Sequence, residues 1–81
     1  ELRDEINTID GEMLALLKRR LAVCRAIAEC KRQKGLPVRD PARETEKLHE
    51  AMEQGGAAGQ RMVALLMALG REEEEHLLKE E

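Results

Sequence analysis

Apolar residues recur at alternating steps of four and three along the first part of the chain. The series consists of Leu2, Ile6, Ile9, Met13, Leu16, Val23, Ile27 and Cys30. This spacing is typical of one face of an α-helix that packs against other helices. Gly11 is the one weak position, and a helix tolerates it at a cost of about 1 kcal/mol. The pattern therefore predicts a first helix over residues 2–34, ended by Gly35 and Pro37.

Two shorter helices are predicted after the first. Asp40 is suited to cap a helix that begins at Pro41, because its carboxylate can accept hydrogen bonds from free backbone N–H groups. We expect this second helix to cover residues 41–54 and to end before the glycine-rich segment GGAAG, which its composition predicts to be a loop. A third helix is expected over residues 60–79. One of its faces would carry Val63, Met67, Gly70, Glu74 and Leu77.

These elements predict an all-α fold, with one domain over residues 1–81. One long helix beside two shorter ones leaves much of the long apolar stripe without a partner inside a single chain. A second copy of the chain would cover it, so we predict an intertwined homodimer whose long helices are shared.

Composition narrows the functions that such a bundle could have. The chain has no Phe, Tyr or Trp and a net charge of −3, so it offers neither aromatic stacking nor a general attraction to nucleic acid. No apolar run approaches the ~20 residues that cross a bilayer, and no signal peptide is recognisable at Glu1. Cys24 and Cys30 fall on different sides of one helix. We expect both to be small, reduced core residues, as is usual in the cytoplasm.

Arg20 interrupts the apolar series between Leu16 and Val23. A guanidinium group keeps its charge, so its burial in a helix bundle is costly unless an anion meets it there. Arg20 could set the register of helix packing, reach back to solvent, or bind an anionic ligand. Lys31 lies about 16 Å further along the helix and is rotated by only about 20°, so both cations could flank a small ligand. A solvated Lys31 is the ordinary alternative.

Asp40, Arg43 and Glu44 occupy one turn of the predicted second helix and project towards the same side. If that helix folds back on the first, Arg43 and Glu44 bring a third cation and a carboxylate close to Arg20 and Lys31. Otherwise Arg43 and Glu44 form an ordinary exposed face. Arg3 is about 25 Å from Arg20 along the same helix, so it could join only the site of a second, antiparallel copy. A solvated Arg3 is the ordinary alternative.

The stretches LRDEINTID and LLKRRLAVCRAIAECKRQKGLPVRDPARE resemble the first helix and turn of the all-helical class of chorismate mutase. The resemblance runs without a gap over residues 2–48 and is weaker in the last third of the chain. It implies an intertwined dimer of three-helix chains with two active sites. It also implies that the substrate is chorismate, rearranged to prephenate on the way to Phe and Tyr without a metal or redox cofactor.

The same resemblance implies a role for each matching residue. Arg20 would bind a substrate carboxylate, and Lys31 would bind the ether oxygen and a carboxylate. Arg43 would help to hold the carboxylate side. Glu44, together with the backbone of Asp40, would engage the ring hydroxyl.

Further contributions are implied from the third helix and from the partner chain. Arg3 would reach into the site of the other subunit. The family usually has a small hydroxyl residue and, four positions later, a Gln or Glu at the ether oxygen. Alignment of the apolar pair near the C-terminus places these positions at Gly70 and Glu74, although Glu73 and Glu75 leave the register open. Gly70 would lose one hydrogen bond to substrate, and Glu74 would have to be protonated to donate one.

Three alternatives remain. Isochorismate–pyruvate lyases resemble this family and use a similar cationic pocket. EKLH and EEEH, which end at His49 and His76, have the Glu-x-x-His spacing of di-iron bundles, but such matches arise by chance in a Glu-rich chain. The third is a non-catalytic helical dimer with a regulatory role, against which a cation inside the apolar stripe argues.

Overall fold

The computed structural model describes residues 1–37 and 39–79 of the chain. Within them, it contains two α-helices and no strand: α1 covers Leu2–Lys34 and α2 covers Pro41–Lys79. The all-α class predicted from the sequence is therefore confirmed. α1 has the bounds that its apolar repeat predicts, whereas α2 spans the region where two helices and a loop are predicted.

The C-terminal end of α1 and the N-terminal end of α2 are capped by the residues that the sequence predicts. Gly35 closes α1 in the left-handed conformation (φ 69°, ψ 24°), and the next backbone N–H donates to the carbonyl of Lys31 at 2.9 Å. Asp40 caps α2, because its Oδ1 accepts a hydrogen bond from the N–H of Arg43 at 3.2 Å. These two ends place the start of α2 beside the end of α1.

The predicted loop at residues 55–59 contains the break between two helical segments but is shorter than predicted, because helical conformation is interrupted there only at Gly56 (φ 65°, ψ −157°). This single residue divides α2 into an N-terminal arm (residues 41–55) and a C-terminal arm (residues 57–79). The Nε2 of Gln60 donates to the carbonyl of Leu48 at 3.2 Å. A straight helix would separate those residues by about 18 Å, so α2 reverses direction at Gly56.

Two glycines make this reversal possible. The dihedral angles of Gly56 belong to a region that residues with a side chain essentially never adopt. Gly59 lies at a close approach of the two arms, since a Cβ atom there would stand 2.9 Å from the carbonyl oxygen of Ala51. The glycine-rich composition therefore serves a tight turn between two packed helical arms.

The first half of α1 projects away from the rest of the chain. Every residue from 1 to 16 is exposed, including the apolar stripe that begins at Leu2. Among the described residues, the only buried apolar side chains are Ala28 and Ala51. Cys24 is half-buried but Cys30 is exposed. Within a single chain, Cys30 is therefore not a core residue, because α2 does not cover that side of α1.

Candidate active site

The second half of α1, residues Arg39 and Asp40 before α2, and both arms of α2 line an open cavity of about 320 Å³. This volume is within the range of sites that bind small molecules. The cavity is lined by Arg20, Val23, Cys24, Ile27, Lys31, Arg39, Asp40, Arg43, Glu44, Lys47, Val63, Met67, Gly70, Arg71 and Glu74.

The structure brings together every predicted site residue except Arg3. Those that line the cavity are Arg20, Lys31, Asp40, Arg43, Glu44, Gly70 and Glu74. Arg3 lies at the exposed start of α1, where its N–H donates to Oε1 of Glu1 at 2.8 Å. It is separated from the cavity by the projecting half of its own helix.

Arg20 points between the helices and is held there by the backbone of α2. Its Nη1 donates to the carbonyl of Leu66 at 2.9 Å and lies 3.9 Å from the sulfur of Cys24. The side chain is half-buried. Because one nitrogen is fixed by a carbonyl oxygen, the planar guanidinium group is held in one orientation at the wall of the cavity.

Glu44 is bound by arginines from two different parts of the chain. Arg39 donates to its Oε2 at 3.2 Å, and Nη1 of Arg71 donates to its Oε1 at 3.4 Å. The hydrogen bond from Arg39, aided by the charges of both arginines, holds the pKa of Glu44 below its ordinary value. Glu44 is therefore an ionised hydrogen-bond acceptor whose two oxygens are already oriented.

The positions of the side chains show which glutamate of residues 73–75 faces the cavity. Glu74 lines the cavity and is half-buried. Glu73 turns outward to Nη1 of Arg25 on α1, at 2.6 Å, and Glu75 is exposed. Of the three residues that the sequence leaves open, Glu74 is thus the one that faces the candidate site.

Burial raises the pKa of Glu74 above its ordinary value of 4.5, and the negative charge of Glu44 adds to the rise. Lys31, Arg71 and Arg20 act in the opposite direction but do not cancel it. The protonated form is therefore favoured more than in an exposed glutamate. Only that form can donate a hydrogen bond from its carboxyl group.

Three cations of the cavity, Arg39, Lys47 and Arg71, were missed by the sequence reasoning. With them, six cationic side chains face three carboxyl groups, in a chain whose net charge is −3. Helical spacing could have indicated two of them, since Lys47 follows Arg43 by one turn and Arg71 precedes Glu74 by one turn. A local excess of cations around a small cavity can hold a doubly negative ligand in one shape.

The described part of the chain contains neither a metal-binding group of side chains nor a membrane-spanning helix. No group of three or more His, Cys, Asp or Glu residues there is arranged to hold a metal ion. No described helix has the length and apolar character needed to cross a membrane.

Comparison with known proteins connects this cavity to one family. The chain matches the family described as chorismate mutase type II over residues 2–79, which confirms the resemblance found in the sequence. It is 39% identical over 70 residues to the intracellular chorismate mutase of Mycobacterium tuberculosis (strain ATCC 25618 / H37Rv), covering 86% of this chain and 66% of that protein. It is 41% identical over 44 residues to the chorismate mutase of Methanocaldococcus jannaschii, covering 54% and 44%.

A third relative carries a different name. The chain is 42% identical over 50 residues to the 3-dehydroquinate dehydratase of Pyrobaculum aerophilum, covering 62% of this chain and 17% of that protein. It thus spans between 17% and 66% of the length of these relatives. No solved structure gives a significant match. Because the family match extends over nearly all of its residues, the chain belongs to the chorismate mutase type II family.

Proposed function

We propose that the cavity is the active site of a chorismate mutase, which rearranges chorismate to prephenate within one molecule. The observation that carries this proposal is the meeting of Arg20, Lys31 and Glu74 in one cavity. Two cations there face a carboxyl group that burial keeps closer to its neutral form. Family membership supports the same reaction.

Binding the substrate in a compact shape is the first task of such a site. Chorismate carries two carboxylates and must fold into a pseudo-diaxial conformer before it reacts. Arg20 and Lys31 hold one side of the dianion, and Arg43 helps to hold a carboxylate from the start of α2. Fixing both charged groups meets part of the barrier by orientation, with no need for a nucleophile.

Stabilising the transition state is the second task. As the ether C–O bond breaks, negative charge gathers on its oxygen. Lys31 binds that oxygen more strongly in the transition state than in the ground state, and protonated Glu74 donates to it as well. Ionised Glu44, with the backbone of Asp40, accepts the hydrogen bond of the ring hydroxyl. Gly70 offers the substrate no side-chain hydrogen bond.

The working enzyme, on this proposal, is an intertwined homodimer of chains with three helical segments: α1 and the two arms of α2. The exposed apolar stripe on residues 1–16 and the small number of buried apolar side chains support this assembly. Arg3 of the partner subunit then completes each site. We also propose a cytoplasmic location, in keeping with free cysteines and with a relative named as intracellular.

The direct test follows the loss of chorismate absorbance by the purified protein and identifies prephenate as the product. Lys31→Ala should lower kcat/KM by about a hundredfold or more, as other lost electrostatic stabilisers do. Lys34→Ala is the matched control, since this exposed lysine lies one turn further on and outside the cavity.

The same preparation should be assayed with isochorismate. Release of pyruvate from isochorismate, without turnover of chorismate, would assign the cavity to the lyase reaction instead. A folded dimer that consumes neither substrate would contradict an enzymatic role and leave the helical interaction module as the better description.

A further inference from the structure

Gly70 lies where the C-terminal arm of α2 packs against Arg20 and Cys24 of α1. It is buried, and a Cβ atom added to it would stand 3.0 Å from the sulfur of Cys24 and 3.5 Å from Nη1 of Arg20. The first distance is tighter than ordinary van der Waals contact, whereas the second is not. A side chain at position 70 therefore requires the sulfur of Cys24 to move by a few tenths of an ångström.

The same sulfur lies beside the guanidinium group that would bind substrate. Nη1 of Arg20 is 3.9 Å from the sulfur of Cys24 and 2.9 Å from the carbonyl oxygen of Leu66. Leu66 is one helical turn before Gly70 on the same arm. The sulfur thus fills the gap between the guanidinium group and the helix backbone at Gly70, and it limits movement of Nη1 in that direction.

We propose that Cys24 and Gly70 form a matched pair that positions Arg20, with the thiol packed into the space left by the missing side chain. Cys24 is then a positioning residue, and glycine at position 70 is required by the sulfur opposite it. The effect on catalysis rests on the function proposed above, but the packing of the pair does not.

Gly70→Ala tests the pair because two physical effects predict changes of opposite sign in the stability of the protein. Alanine in place of a helical glycine ordinarily stabilises a helix. Here, its Cβ must displace the sulfur of Cys24 by a few tenths of an ångström, and we expect the neighbouring guanidinium group of Arg20 to shift with it. We expect a lower Tm and a kcat/KM reduced by about tenfold, mainly through a higher KM, as is typical of overpacking next to a binding group.

Removing the sulfur should reverse the sign of the Tm change and remove most of the loss of kcat/KM. In the Cys24→Ala background, Gly70→Ala should raise Tm and restore kcat/KM to within about twofold of Cys24→Ala alone, because additivity fails for residues in contact. Cys30→Ala should give no such rescue, since that cysteine is exposed and lies outside the cavity. Gly11→Ala should raise Tm without changing KM, since nothing lies within 4 Å of its Cβ position.

The outcomes separate this inference from the proposed function. If Gly70→Ala raises Tm equally in both backgrounds and leaves KM unchanged, the pairing is overturned. If Gly70→Ala does not fold, recovery in the double variant supports the pair, and failure of both variants overturns it. If the unsubstituted protein does not turn over chorismate, the proposed function fails, while the Tm values still decide whether the two residues are paired.

Discussion

Glu74 offers the most informative single substitution, because its proposed role depends on its protonation state. It lines the cavity, and burial raises its pKa above the ordinary 4.5 despite the nearby cations. A neutral carboxyl group donates to the ether oxygen, whereas a carboxylate repels the charge that develops there. Glu74→Gln replaces a titrating donor with an amide that donates at every pH.

The size of the effect follows from the titration itself. Above the pKa of Glu74, the protonated fraction falls tenfold per pH unit, so kcat/KM of the unsubstituted protein should fall by about tenfold per unit. The Gln variant should lack this decline, the alkaline limb of the pH profile of kcat/KM, between about pH 5 and about pH 8. Its activity should therefore exceed that of the parent protein at the upper end of this range.

The stability of the fold should respond in the same direction. The pKa of Glu74 in the folded state lies above its ordinary value of 4.5. The contribution of Glu74 to the free energy of unfolding is therefore fully present below pH 4.5 and is lost as pH rises through the folded-state pKa. The midpoint of chemical unfolding, measured across that range, should fall less steeply with pH in Glu74→Gln than in the parent protein.

The assay is the initial rate of chorismate loss at saturating and limiting substrate over the full pH range. Glu75→Gln is the matched control, since this exposed neighbour does not line the cavity and should leave the limb in place. Arg71→Met removes one of the charges that lower the pKa of Glu74, so it should move the limb to higher pH. A parent protein with a flat profile from about pH 5 to about pH 8 would refute the role given to Glu74.

Two further substitutions test the fold and the anion site. Gly56→Ala should destabilise the protein by about 1–3 kcal/mol in chemical unfolding, because its dihedral angles are strained for any residue with a side chain. Gly55→Ala, at a neighbouring helical position with open space, should not; equal effects would contradict the reversal at Gly56. Arg20→Lys should lower kcat/KM by about tenfold or more, because lysine lacks the planar set of donors that can bind a carbonyl and a carboxylate together. Unchanged kinetics would show that Arg20 does not bind the substrate.

The features predicted correctly from the sequence are those that depend on the spacing of residues close together in the chain. The repeat from Leu2 to Cys30 defines α1 because it repeats with the helix period. Asp40 and Pro41 define the start of α2 by the preferences of a helix N-terminus. Gly70 and Glu74 could be placed on the inner face because they continue the same four-three stepping as Val63 and Met67. That face does line the cavity.

The features that were missed depend on contacts between distant parts of the chain. GGAAG has the composition of a loop, and only the close approach of Gly59 to Ala51 reveals that it joins two packed helical arms. Arg71 looks like an ordinary surface residue until its ion pair with Glu44, 27 positions earlier, is seen. Cys30 fits the apolar repeat, but no element of the same chain covers it. Local pattern carries no information on such pairings.

A purified heterodimer tests whether each site is shared between two chains. One chain carries Arg3→Ala, the other carries Lys31→Ala, and different affinity tags isolate the mixed species. If Arg3 serves the partner's site, one site of the heterodimer keeps both residues and the other loses both. The chorismate mutase rate should then be about half that of the unsubstituted dimer, while each variant homodimer is nearly inactive. A heterodimer as inactive as the two homodimers would place Arg3 outside the partner's site and contradict the shared cationic site.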